Sequence, residues 1–128
     1  MFTVKPVILL TAVKDAIDAG AGPGVLSIYT GPQPDPGEAV TTQTLLAALA
    51  CADPCGTVAG STLTLTINDD QAADDTGTAV WAMITDSGGN WVADMDVGNE
   101  ASGAALKLNT VQIVAGGTVR ITSATISA

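Results

Sequence analysis

Leu9, Leu10, Val13, Ala16 and Ile17 recur at the three- and four-residue spacing of one helical face. It is the only good helical pattern in the chain. Thr11 offers an N-cap, although Lys14 stands where the reciprocal Glu or Gln of a capping box would be. Gly20 and Gly22 stop the helix, with Pro23 just beyond. The spacing therefore predicts a helix over residues 9–19. A helix so short is not stable alone in water, so it must pack on its own sheet or on a neighbouring subunit.

From Val25 onward the pattern is that of strands. Val25–Thr30 reads as the first. Pro32, Pro34 and Pro36 then alternate, which forbids helix and central strand alike and predicts an extended surface loop. Leu45–Cys51 follows as a strand, though Leu and Ala there also permit a helix. Leu63–Ile67 alternates strictly, with Leu and Ile on one face and Thr on the other. Ala79–Thr85 and Trp91–Val97 flank Asp86-Ser87-Gly88-Gly89-Asn90, a hairpin signal. Leu106–Leu108, Val111–Val114, Val119–Thr122 and Ala124–Ile126 are short candidates, with a turn at Gly116-Gly117. Strands about ten residues apart with turn chemistry between them indicate a sandwich or barrel. The expected fold is mainly β: an antiparallel β-sandwich or barrel with one short N-terminal helix. The expected division is an N-terminal arm and helix over 1–24 and a β-sandwich domain over 25–128.

The 128 residues suit one domain. Apolar residues make up 47%, charged residues 13% and aromatics 3%. Charge that sparse, beside plentiful Ala, Gly and Thr, argues against disorder and for a thin core of small side chains. The net charge is −9. Lys5, Lys14, Lys107 and Arg120 are too few and too scattered to displace counterions from nucleic acid or to hold an anionic membrane. No apolar run approaches the ~20 residues of a membrane span. Lys5 followed by Val7–Val13 imitates a short signal peptide, but Lys14, Asp15 and Asp18 stand where a neutral cleavage region belongs, so the segment reads as mature sequence.

Candidate chemistry is sparse. Histidine is absent, which removes Ser-His-Asp and Cys-His catalysis and the commonest metal ligand. Gly20, Gly22 and Gly24 lie between a helix and a strand, the reverse of a dinucleotide fingerprint. Cys51 and Cys55 bracket Ala52-Asp53-Pro54. Two sulfurs alone do not complete a zinc site. A disulfide closing the loop is geometrically allowed if the Cα atoms come within about 7 Å, and Asp-Pro favours a turn that brings the ends together; the alternative is two free thiols in a turn. Asp69, Asp70, Asp74 and Asp75 cluster densely enough to suggest calcium, yet their spacing fits no EF-hand, and a solvated loop is the better reading. Trp81 and Trp91 are expected in the core or an interface of the central hairpin. No catalytic residue, cofactor or metal is expected.

Two stretches, Asp15–Gly24 and Leu26-Ser27-Ile28-Tyr29-Thr30-Gly31-Pro32-Gln33-Pro34, resemble the opening of small virion-associated structural proteins of tailed phages and prophages. The similarity continues at Thr44-Leu45-Leu46-Ala47, at Leu108-Asn109-Thr110 and at Ile113–Val119, and excludes the Cys51–Cys55 segment. These are turn-and-strand signatures rather than catalytic ones. The resemblance implies a non-enzymatic capsid decoration or cement protein in the virion, assembled in the host cytoplasm. It would contact the major capsid or other virion proteins and form a homo-oligomer, without nucleic acid or membrane. The alternative is a receptor- or carbohydrate-binding domain on a tail fibre or collar. The natural clamping elements are the helix face Leu9, Leu10, Val13 and Ile17 and the loop prolines Pro32, Pro34 and Pro36.

Overall fold

The computed structural model describes residues 5–35 and 37–127. Helix α1 spans Pro6–Ile17. The strands are β1 (Val25–Tyr29), β2 (Leu45–Ala59), β3 (Thr62–Ile67), β4 (Gly77–Thr78), β5 (Trp81–Thr85), β6 (Trp91–Asn99), β7 (Leu106–Leu108), β8 (Gln112–Ile113) and β9 (Ile121–Ser127). Seven of them close a barrel in the order β1-β2-β3-β9-β7-β6-β5, while β4 and β8 form a separate two-stranded ribbon.

The sheet is mixed, not antiparallel throughout. β6 and β7 run parallel, with Val97 opposite Leu106 and Asn99 opposite Leu108. The reason is parity: strand directions cannot alternate all the way round a ring with an odd number of members, so one neighbouring pair must run the same way. Parallel neighbours usually need a long crossover; here residues 100–105 suffice. Asn99 organises the return, its backbone carbonyl accepting from the Ser102 N–H and hydroxyl and its side chain accepting from the Ala101 N–H. Gly98 leaves room for it, since a Cβ there would collide with the Ser102 side chain and stand 3.2 Å from the Ala104 Cβ.

Inside the barrel the period-two pattern works as the chain suggests. Leu26, Ile28, Leu49, Leu63, Leu65, Ile84, Leu106 and Leu108 fill the interior with alanines between them. Small inward residues such as Ala47, Ala82 and Ala124 keep the barrel narrow. The apolar runs Val119–Thr122 and Ala124–Ile126 belong to one strand region leading into β9, and Val111–Val114 leaves the barrel for the ribbon.

The helix begins three residues before the expected span. Lys5, in extended conformation, is the N-cap, and Pro6 takes the first helical position, where its missing N–H costs nothing. Thr11 is not a cap; its hydroxyl donates to the Val7 carbonyl within the helix at 2.6 Å. Leu10 and Ile17 are buried in the common core, and Val13 packs against it. The helix contacts β2 and β3 most and touches β6 and β9 as well. Gly24 permits this close seating: a Cβ there would meet Ile17 at 2.6 Å and the Thr85 carbonyl at 2.9 Å.

Truncating the inward side chains should cost what a cavity costs. Ile17→Ala is expected to lower unfolding free energy by about 2–5 kcal/mol. Ile8→Ala, on the exposed side, should change it by less than about 0.5 kcal/mol. Urea denaturation of the two variants checks the contrast.

Candidate interaction sites

Five features hold the residues that could do something beyond fold the chain. The first is the start of α1. Pro6 through Leu9 are all exposed, and this turn carries Val7, Ile8 and Leu9 at 44%, 57% and 45% exposure. Of the helix face expected to meet a partner or the sheet, Leu10 and Ile17 are committed to the barrel and Leu9 is free.

The second surface is the proline loop. Pro32 is exposed, Pro34 is half-buried, and Pro36 lies outside the described residues. The loop is tied down rather than loose. The Gln43 amide donates to the Pro32 carbonyl, and Thr30 and Thr44 bond reciprocally through the Thr44 N–H on Thr30 Oγ1 and the Thr30 N–H on the Thr44 carbonyl. Beneath it, Tyr29 and Trp81 stack as a cross-strand pair with ring centroids 4.8 Å apart, and Trp81 Nε1 donates to the Thr30 carbonyl. Trp81 is thus fully buried on the outer face of the barrel, while Trp91 is 45% exposed.

The third feature is the thiol pair. Cys51 and Cys55 are free and buried. The segment between them is not the expected turn. It is a bulge within β2, where five steps from Cys51 to Gly56 oppose two steps from Ile67 to Leu65. Gly56 is required at its end, because a Cβ would run into the Thr64 carbonyl of β3. The bulge meets the end of α1: Asp18 Oδ1 accepts the Cys55 N–H at 2.8 Å, and Asp18 Oδ2 pairs with Lys14 at 3.2 Å. Burial first, and the nearby Asp18 charge second, push the Cys51 thiol up to about 11 and the Cys55 thiol up to about 12. Both are therefore protonated and poor nucleophiles at neutral pH.

The aspartate cluster does not converge. Asp69 pairs with Arg120 at 3.5 Å, Asp70 Oδ1 accepts the Ala72 N–H, and Asp75 Oδ1 accepts the Thr76 N–H. The loop backbone is anchored at both ends, with Asp70 bridged to Val119 and the Asp74 N–H on the Leu46 carbonyl. Among the described residues, no three His, Cys, Asp or Glu side chains are grouped to hold a metal ion, and no helix is long and apolar enough to cross a membrane.

The fifth feature is not evident in the sequence. Asp94 and Asp96 of β6 line a cleft of about 240 Å³ with Ala93, Met95, Ala105 and the end of β9. Trp91 Nε1 donates to Asp94 Oδ1 at 2.9 Å, and the Ala105 N–H donates to Asp96 Oδ1 at 2.8 Å. The signal available in the chain was alternation, which puts both carboxylates on one face of a strand.

No family model, no curated protein and no solved structure matches the chain.

Two outcomes follow from the thiols and the aspartates. A thiol whose pKa is raised by folding contributes stability that is complete below its unfolded value near 9 and is lost as pH rises through 11 and 12. Denaturant midpoints of the wild type should therefore fall more steeply above pH 9 than those of a Cys51→Ala/Cys55→Ala double variant, whose profile isolates the two groups. For the aspartate loop, a melting temperature unchanged between EDTA and millimolar calcium is expected. A rise of several degrees with calcium would show a bound ion.

Proposed function

We propose that this protein is a non-catalytic structural component of a tailed-phage virion, a capsid decoration protein that binds the shell through apolar contacts. The observation that carries the reading is the exposed first turn of α1, with Val7, Ile8 and Leu9 together at the surface of a helix whose other face is committed to its own barrel. Three adjacent large apolar side chains on an exposed turn are a better partner contact than a solvated surface. Covering each should contribute about 1–2 kcal/mol, less than full burial because each is already half covered. The turn-and-strand segments that resemble virion-associated proteins support the same reading, as does a compact barrel whose thiols are protonated and enclosed.

Quantified gels of purified particles test it. Hundreds of copies per virion are expected; a few copies would favour the tail-fibre or collar reading, for which the exposed Trp91 indole beside Asp94 is the natural sugar platform. An Ile8→Asp/Leu9→Asp variant should melt like the wild type yet fail to co-sediment with undecorated particles. Wild-type attachment should survive 1 M salt, where the Debye length is about 3 Å and exposed ion pairs are screened. Retention of the double variant on particles, or release of the wild type by salt, would remove α1 from the contact.

A further inference from the structure

The barrel wall lacks a strand over part of its height. β6 pairs with β5 from Trp91 to Asp96 but meets β7 only from Val97 onward. β9 pairs with β3 through Thr125–Ser127, while its pairing with β7 covers Ile121 to Ala124. Ala93–Asp96 and Thr125–Ser127 therefore border the cleft from opposite sides. Where β7 does intervene, β6 and β9 are two strand spacings apart, roughly 9–10 Å. The gap continues that interval, with Ala105 at its end donating to Asp96 and accepting the Thr125 N–H at 3.1 Å.

Its charge is one-sided. Asp94 and Asp96 line it, and no Lys or Arg does. Asp94 Oδ2 is sealed from solvent and has no hydrogen-bond partner. An orphaned carboxylate oxygen of this kind is costly, and a rotation of the Asp94 carboxylate toward a cationic donor in the cleft relieves it.

We propose that this cleft accepts an extended segment of a partner protein, which adds a strand between β6 and β9 and places an arginine side chain on Asp94 and Asp96. The segment borders four residues of β6, roughly 13 Å at about 3.3 Å per residue, so three or four residues of the partner fill it. Backbone pairing to two open edges supplies affinity, and the pair of carboxylates supplies selection, as in other strand-addition complexes. Arginine suits the site better than lysine because its planar fork engages two acceptors at once. A chain of net charge −9 is a poor partner for a second copy of itself at an acidic cleft, which points to a different, basic segment. The inference goes beyond the virion reading and does not rest on it.

The test is an NMR titration of the ¹⁵N-labelled protein with a capped peptide, Thr-Val-Thr-Arg-Thr-Val-Thr. Saturable shifts are expected at the amides of Ala93–Asp96 and Thr125–Ser127, and at the indole N–H of Trp91, one of two indoles in the chain. Replacing the peptide arginine by glutamate should weaken binding at least tenfold. Methylating alternate peptide backbone nitrogens should abolish it. Asp94→Asn should weaken it about tenfold while leaving the melting temperature within a few degrees. Absence of shifts at millimolar peptide would overturn the proposal, and so would equal binding of the glutamate or N-methylated peptide. N-acetyl-arginine amide binding as tightly as the peptide would show a small-cation site instead. Should Asp94→Asn not fold, the peptide series on the unaltered protein decides.

Discussion

A ring of seven strands cannot alternate direction throughout, and the architecture follows from how this chain satisfies that constraint. One parallel pair is unavoidable, and it falls between β6 and β7. The return from β6 to β7 takes six residues, made possible by the Asn99 hydrogen bonds and by the absence of a side chain at Gly98. So short a return delivers β7 late and leaves it three residues long. The opening beside Asp94 and Asp96 is the geometric remainder of that economy. Natural sheets usually cover or blunt such edges, and here the polar wall of the opening is two carboxylates, one of which holds a buried, partnerless oxygen.

The helix answers a second demand of the same ring. The barrel end formed by the start of β1, the end of β5 and the bulge of β2 would otherwise expose the interior. Ile17 and Leu10 close it, Gly24 lets the helix come down, and Asp18 fastens the bulge through the Cys55 N–H. The bulge brings Cys51 and Cys55 into the core, where desolvation keeps both thiols protonated. Because α1 spends its later turns on this task, only its first turn leaves apolar side chains free.

Much of the fold was legible because small barrels obey period-two burial. Leu63, Leu65, Leu106 and Leu108 lie inside as alternation requires, and the β5–β6 hairpin forms at Asp86–Asn90, with Asp86 Oδ1 accepting the N–H groups of Gly88 and Asn90. The apolar periodicity begins only at Leu9 and so places the helix start three residues late, whereas Pro6, a good first helical residue, is the better sign. Asp53-Pro54 suggested a turn, but pairing on both sides of the segment carries it as a bulge. The parallel pair was illegible because it depends on the number of strands in the ring. That number was obscured by the β8 segment, which leaves for a ribbon. The acidic cleft is illegible for a related reason: Asp94 and Asp96 look like ordinary solvated positions unless the neighbouring strand β7 is known to be short.

Ring closure also orders the events by which the chain acquires its shape. The β2–β3 and β5–β6 pairs are joined by short connections and can form early and locally. The ring itself closes through β1 against β5 and β3 against β9, which join Val25 to Thr85 and Thr62 to Ser127. Contacts of such sequence separation carry a loop-closure cost before they are rewarded. While the polypeptide emerges from the ribosome, β3 has no outer neighbour until Ile121–Ser127 has been synthesised. Strand β9 therefore converts an open, association-prone sheet into a closed one, and disrupting that strand would leave the sheet unclosed.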